Sequence, residues 1–320
     1  MTTVQTRPRR GIHALVGTPA RAIAVAVVTG VGVSVQFYVN GRLGREVGSA
    51  TVAAVVNNLI AALAALAVVL GTGALPRAVG RIRALGRPPL WQFTGGALGA
   101  AVVLVSAVAA PRVGVALLTV AVVCGTTAGS LIVDAIGIGP AGRRPITGAR
   151  VAGVVLAVAA TVIGAVGVQG DLEPVLLVLA LAAGAGIAVQ AAANGRLARA
   201  SGEPFVTALI NSSLGFAVLL AIAAVAVLVG SLDALPTNPL LYVGGLLGAV
   251  AVVVTATAVA TLGILRLGLA MVAGQAIGAL AVDLVAPVPG EVVTAGTVGG
   301  VVLTLAAVAI SGRGRQAPRA

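Results

Sequence analysis

The chain has no lysine, one histidine and one cysteine, and only 9% of its 320 residues are charged. Each scarcity excludes something. Soluble domains carry about a quarter charged residues, so this chain lacks the charge to cover a water-facing surface. The lone Cys124 permits no intramolecular disulfide, and its place in an apolar run reads as packing rather than reactivity. With His13 alone, in a polar N-terminal tail, no Ser-His-Asp set can be assembled. No His/Cys/Asp cluster has metal-ligand spacing, and no phosphate-binding P-loop occurs. Neither a catalytic centre nor a metal or cofactor site is expected, and an enzyme is not the expected class.

What is abundant is apolar: 59% of the residues, with a mean hydropathy of +1.14. The apolar residues form runs of the ~20 residues that a bilayer-crossing helix needs. Lipid admits only helices or closed barrels, because every backbone polar group must be satisfied internally. Barrel strands would alternate polar with apolar residues, and these runs do not. The expected fold is all-α, a multi-pass protein of the cell (inner) membrane. Ten spans are expected, at Arg21–Val39, Ala50–Leu70, Leu90–Ala110, Val113–Val133, Val151–Val168, Pro174–Ala193, Phe205–Val229, Pro239–Thr261, Leu267–Ala286 and Val292–Ile310. Between them lie a basic connection from Arg77 to Arg87, a break at Pro111-Arg112, an acidic connection Asp171–Glu173 and a turn Pro287–Glu291. Residues 1–20 and 311–320 are cytoplasmic tails in this reading.

One stretch occurs twice. VQFYVNGRLGREVGSATVAAVVN at 35–57 answers VQAAANGRLARASGEPFVTALIN at 189–211, a constant shift of 154 residues from Gln36 to Gln190. Chance matches in such a chain fall on alanine and valine, not on Gln36, Asn40, Gly41, Arg42, Leu43, Arg45 and Asn57 together. Further on, GGALGA at 95–100 answers GGLLGA at 244–249, and GTTAGSLIVD at 125–134 answers GQAIGALAVD at 274–283, now with a shift of 149 from Asp134 to Asp283. Such internal repetition sets the architecture: a first five-helix unit at 21–170 and a second at 171–310. Five is odd, so the second unit enters the membrane inverted. With both termini inside, every arginine except Arg42, Arg45 and Arg112 falls on the cytoplasmic side, as the positive-inside rule requires. Membrane orientation, rather than nucleic acid, accounts for the net charge of +12.

The polar residues within spans are few. Gln36 and Asn40 share one helix face at the outer end of the first span, with Asn57 about 10 Å into the second. Gln190, Asn194 and Asn211 repeat the arrangement at the inner side. Asp134 lies near the inner end of its span, Asp283 near the outer end of its own, and Gln275 near mid-span. Amides between spans serve either as interhelical glue or as contacts to a solute, so Gln275, Gln36, Gln190, Asn57 and Asn211 are candidate substrate-binding residues. Asn40-Gly41 and Asn194-Gly195 read first as left-handed helix caps, with gating as the alternative. An intramembrane carboxylate is a functional candidate by default, so Asp134 and Asp283 join Asn40 and Asn194 as gating or coupling candidates. Arg42 and Arg196 read as solvated or headgroup-bound. The GxxxG pairs Gly95/Gly99, Gly125/Gly129, Gly244/Gly248, Gly274/Gly278 and Gly296/Gly300 imply close helix packing, and such faces also allow a homo-oligomer.

Two copies of Q-x-x-x-N-G-R-L followed by an asparagine, with G-Q-x-x-x-A-L-x-x-D at 274–283, resemble the YdcZ-like family of inner-membrane exporters within the drug/metabolite transporter superfamily. The resemblance spans about residues 20–310, as a tandem fusion of two family units. Thr126 replaces the family's glutamine in the first unit, and Ala135 and Leu284 stand where the family often has histidine. The resemblance implies transport of a small-molecule cargo through the lipid bilayer, in the export direction. Inverted repeats imply alternating access between two halves, hence a secondary transporter. The alternative class is a membrane partner or assembly protein that docks proteins or anionic lipid through its GxxxG faces and the basic Arg77–Arg87 segment.

Overall fold

The computed structural model describes residues 18–86, 88–140, 142–143, 145–164, 173–227, 235–286 and 295–312. Residues 1–17 and 313–320 of the expected tails, His13, Asp171, Asp233 and the expected turn from Pro287 to Glu291 lie outside the described residues; residues 18–20 and 311–312 do not form tails but belong to the ends of helices. Ten α-helices cover most of the rest: α1 Pro19–Glu46, α2 Ala50–Thr72, α3 Ala74–Leu85, α4 Gly95–Val113, α5 Val115–Ile136, α6 Gly148–Gly164, α7 Pro174–Ser201, α8 Pro204–Val227, α9 Val243–Val285 and α10 Ala295–Gly312. No strand occurs among the described residues. Among the described residues, seven helical stretches are long and apolar enough to cross a membrane, and Val151–Ala160 and Ala270–Val285 are shorter apolar helices.

Helix ends follow local chemistry, and several expectations about them are corrected. α1 opens with Pro19 in its first turn and the Thr18 side chain accepting from the Arg21 N–H at 3.3 Å. It does not stop at Asn40-Gly41, nor does α7 stop at Asn194-Gly195. Both glycines sit inside a helix because a neighbour crowds them: an added methyl would stand 3.0 Å from Pro111 at Gly41 and 3.0 Å from Pro140 at Gly195. The turns come at Gly48 and Gly202, each with φ near 70°, a conformation that costs glycine nothing. These two glycines are also 154 apart, so the repeat itself carries the break.

The basic connection is not a loop but helix α3. Its Ala74 and Ala78 pack on Val69 and Val206, while Arg77 Nε meets Glu203 Oε1 at 2.5 Å and Arg81 and Arg83 stay exposed. At Pro111 the expected break is absent; the proline lies inside α4, and the chain breaks at Gly114, φ 75°. Helix α9 hides a reversal. Thr255 Oγ1 donates to Met271 Sδ at 3.4 Å, whereas a straight helix would part those residues by about 24 Å. The two legs of α9, near Ala258 and Ala270, close together on Ala22 and Ala26 of α1.

Packing crosses between the halves. α1 lies on both legs of α9, α7 lies on α5 and α4, α2 on α8, and α6 on α10. The contacts recur with the halves exchanged. A methyl on Gly30 would collide with the Met271 carbonyl oxygen and stand 2.9 Å from Gln275 N; on Gly184 it would collide with the Val122 oxygen and stand 2.8 Å from Thr126 N. Gly274 abuts Val27 just as Gly125 abuts Leu181, and Gly278 abuts Val31 as Gly129 abuts Ala185. In lipid no hydrophobic force drives helices together, so close backbone approach through small residues supplies the dispersion contacts.

Candidate functional site

A cavity of about 150 Å³ lies between the two halves. The same cross-packing builds it. Because α1 lies on α9, Gln36 reaches over Gly248, its Nε2 standing 2.8 Å from where a methyl would be; Gln190 reaches over Gly99 in the same way at 2.7 Å. Gly244 and Gly95 similarly leave room for Asn40 with Asn57 and for Asn194 with Asn211. A side chain at any of these glycines would push an amide out of place.

Six of the amides singled out in the sequence therefore line one cavity: Gln36, Asn57, Gln190, Asn194, Asn211 and Gln275. The sequence suggested two separate clusters, one toward each membrane face; the structure brings both to a common space. It adds Asn58, Ser106, Ser212 and Thr255 to the lining, residues that sequence reasoning passed over. The signal was present, since Asn58 aligns with Ser212 at a shift of 154 and Ser106 with Thr255 at 149. Thr126 does not share the cavity with Gln275. Its hydroxyl donates to the Val122 carbonyl at 2.8 Å and to the Gly184 carbonyl at 3.1 Å, within the α5–α7 contact. The Gln275 backbone carbonyl accepts from Ser34 Oγ at 2.7 Å, and Gln275 lines the cavity.

The two amide sets differ in their bonding. Asn211 Oδ1 accepts from Asn194 Nδ2 at 3.1 Å and from Gln190 Nε2 at 3.3 Å. In the matching set, Asn40 Nδ2 donates to Ser106 Oγ at 3.4 Å, and the buried Asn57 Oδ1 has no partner among the described residues. The halves thus hold equivalent residues in inequivalent states.

Asp134 and Asp283 are buried but do not line the cavity. Asp283 Oδ1 accepts from the backbone N–H of Val115 at 3.2 Å and so caps α5 from the other half of the chain. Losing a helix cap costs about 1 kcal/mol, up to ~2. Asp283→Ala is expected to lose that much stability in a detergent unfolding titration, and Asp283→Asn, which keeps the acceptor, to lose little. Full transport by the asparagine variant would make the residue structural; lost transport with unchanged stability would make it a coupling group.

Arg196 is not merely solvated. Its Nε donates to the Ile138 carbonyl at 2.7 Å and its guanidinium lies 5.6 Å from the Trp91 ring centroid, fixing the turn after α5 to α7. Arg42 stays exposed, donating to Glu46 Oε1 at 3.2 Å.

No curated protein is significantly similar to this chain. One crystal structure superposes with a TM-score of 0.57 over 90% of this chain and 94% of the other, at 18% identity, a likeness of fold alone. The repeat that places matching amides on both sides of one cavity is also what a family model recognises twice, over residues 21–163 and 175–310, and the chain belongs to that family, described as "Putative inner membrane exporter, YdcZ".

Proposed function

We propose that this protein is a secondary carrier that moves a small solute by alternating access between two inverted five-helix units, in the direction of export. The observation that carries the proposal is the cavity between the halves, lined by matching residues of both. Gln36, Asn57, Gln190, Asn211 and Gln275 contact the cargo in this reading, and Asn40 and Asn194, one helical turn beyond the glutamines, gate access. Helix α6, the second leg of α9 and α10 complete ten crossings, with both termini in the cytoplasm. Two clusters of charge support that arrangement. Arg112 pairs with Glu173 at 3.2 Å on the outer side of the proposed topology. Arg77 pairs with Glu203, and Arg199 donates to the Pro140 carbonyl at 2.6 Å, on the inner side. For the docking alternative, eight glycines of four GxxxG pairs are packed within the chain itself, which leaves it the exposed Arg81 and Arg83 of α3.

The test is flux through reconstituted vesicles. Gln275→Ala is expected to cut transport sharply while stability falls by less than the ~1–2 kcal/mol of one interhelical bond, because among the described residues its side chain forms none. Thr126→Ala should be milder, since its hydroxyl serves helix packing. Equal tolerance of both changes would reduce Gln275 to glue. For topology, cysteines at Gly86 and Gly142 should resist impermeant reagents applied to intact cells; outside labelling of Gly86 would overturn the arrangement.

A further inference from the structure

We infer that the cavity selects an uncharged, multiply hydrogen-bonding solute of about four carbons, a polyol or small amide rather than an ion or zwitterion. The inference rests on the carrier reading above and adds the class of cargo. Its first support is the chemistry of the walls: among the described lining residues none is charged, and the polar ones are amides and hydroxyls. An ion taken from water into such a space would meet no counter-charge, and burying an unpaired charge costs far more than burying a hydrogen-bonded neutral group. A zwitterion would need two counter-charges.

The second support is which groups stand unengaged. Among the described residues, the side-chain amides of Gln36 and Gln275 make no hydrogen bond, and Asn57 Oδ1 is buried without a partner. Each amide offers two N–H donors and one carbonyl acceptor. The unengaged Gln36 and Gln275 amides on the walls supply both donors and acceptors to a ligand. A hydroxyl or a primary amide both donates and accepts, so such groups satisfy the set. Phe37 and Met271 on the same walls suit the C–H faces of a short carbon chain.

The third support is size. A cavity of about 150 Å³ holds one benzene-sized molecule, or roughly five waters at about 30 Å³ each.

The experiment uses the full chain in proteoliposomes, with initial uptake compared against protein-free vesicles. The probes are erythritol and malonamide as neutral solutes, with threonate, choline and threonine as anion, cation and zwitterion of similar length. Erythritol or malonamide is expected to enter about tenfold faster than the protein-free leak, with the three charged solutes at leak rates. Gln36→Leu and Gln275→Leu should each raise the KM for the neutral solute about tenfold, the loss of one hydrogen bond from a neutral group. Gln36→Asn, which keeps an amide, should fall between them and the parent chain, and it serves if a leucine variant fails to fold. Transport of choline, threonate or threonine as fast as the neutral pair would overturn the class and leave the carrier standing. Leak rates for all five solutes would overturn both.

Discussion

Gly184→Ala is expected to destabilise the protein by about 2 kcal/mol or more, although alanine is the better helix former by ~1 kcal/mol. The sign is set by what the methyl meets. At Gly184 it would collide with the Val122 carbonyl oxygen and lie 2.8 Å from Thr126 N. Both are backbone atoms of α5, which cannot rotate aside as a side chain would. Overpacking of this kind costs typically 1–3 kcal/mol and occasionally more, and here the helices must part along their whole contact. The hydrogen bond from Thr126 Oγ1 to the Gly184 carbonyl would go with it. Gly30→Ala, against Met271 and Gln275, should lose a similar amount. Gly71→Ala is the control: nothing lies within 4 Å of its added methyl, so propensity alone acts and stability should rise by up to ~1 kcal/mol. Thermal unfolding in one detergent compares all three. Equal midpoints would mean that α1–α9 and α5–α7 do not approach as closely as described.

The repeat was legible because it falls on residues a membrane chain uses sparingly. Gln36 and Gln190, or Asp134 and Asp283, stand out against valine and alanine, and their shifts locate the halves without any structural information. The pairing of helices was not legible. Faces that meet another helix and faces that meet lipid are equally apolar, so Gly30, packed against Met271, and Gly71, in open space, look alike in sequence. Helix α3 escaped notice because Arg77, Arg81 and Arg83 suggested a loop, whereas only Ala74 and Ala78 need burial. The docking of Arg196 on the Ile138 carbonyl had no signature, since any residue supplies a carbonyl.

The candidate site was half legible. Six of its polar residues were named and Asn58, Ser106, Ser212 and Thr255 were not, and spacing along spans put the two amide sets near opposite faces. The structure joins them because Gln36 and Gln190 reach over Gly248 and Gly99, a contact between halves that spacing within one half does not reveal. The reverse error concerns Asn40-Gly41. As a dipeptide it signals a turn, yet the helix continues, since the glycine is required by Pro111 rather than by backbone conformation.

Asn211→Ala is expected to open the cavity toward the cytoplasm, and Asn57→Ala is not. The two residues are equivalent in the repeat and inequivalent in bonding. Asn211 Oδ1 holds both Asn194 and Gln190, at 3.1 and 3.3 Å, and in the proposed topology these close the cytoplasmic side. Asn57 Oδ1 holds nothing, and Asn40 has turned to Ser106. Alternating access requires such a pair of latches, one made while the other is released. Removing Asn211 deletes two interhelical bonds, each ~0.6–1.7 kcal/mol, from the described state alone, which shifts the balance toward the opposite state by about 10- to 300-fold. Removing Asn57 deletes no bond here and weakens only the other state, so the balance moves the other way. A cysteine at Ala191, which lines the cavity, in a Cys124→Ser background reports the difference. In inside-out vesicles an impermeant maleimide should label it about tenfold faster with Asn211→Ala, and no faster than the parent with Asn57→Ala. Equal acceleration by both substitutions would mean loosened packing rather than a switch, and the inequivalence of the two amide sets would then carry no mechanism.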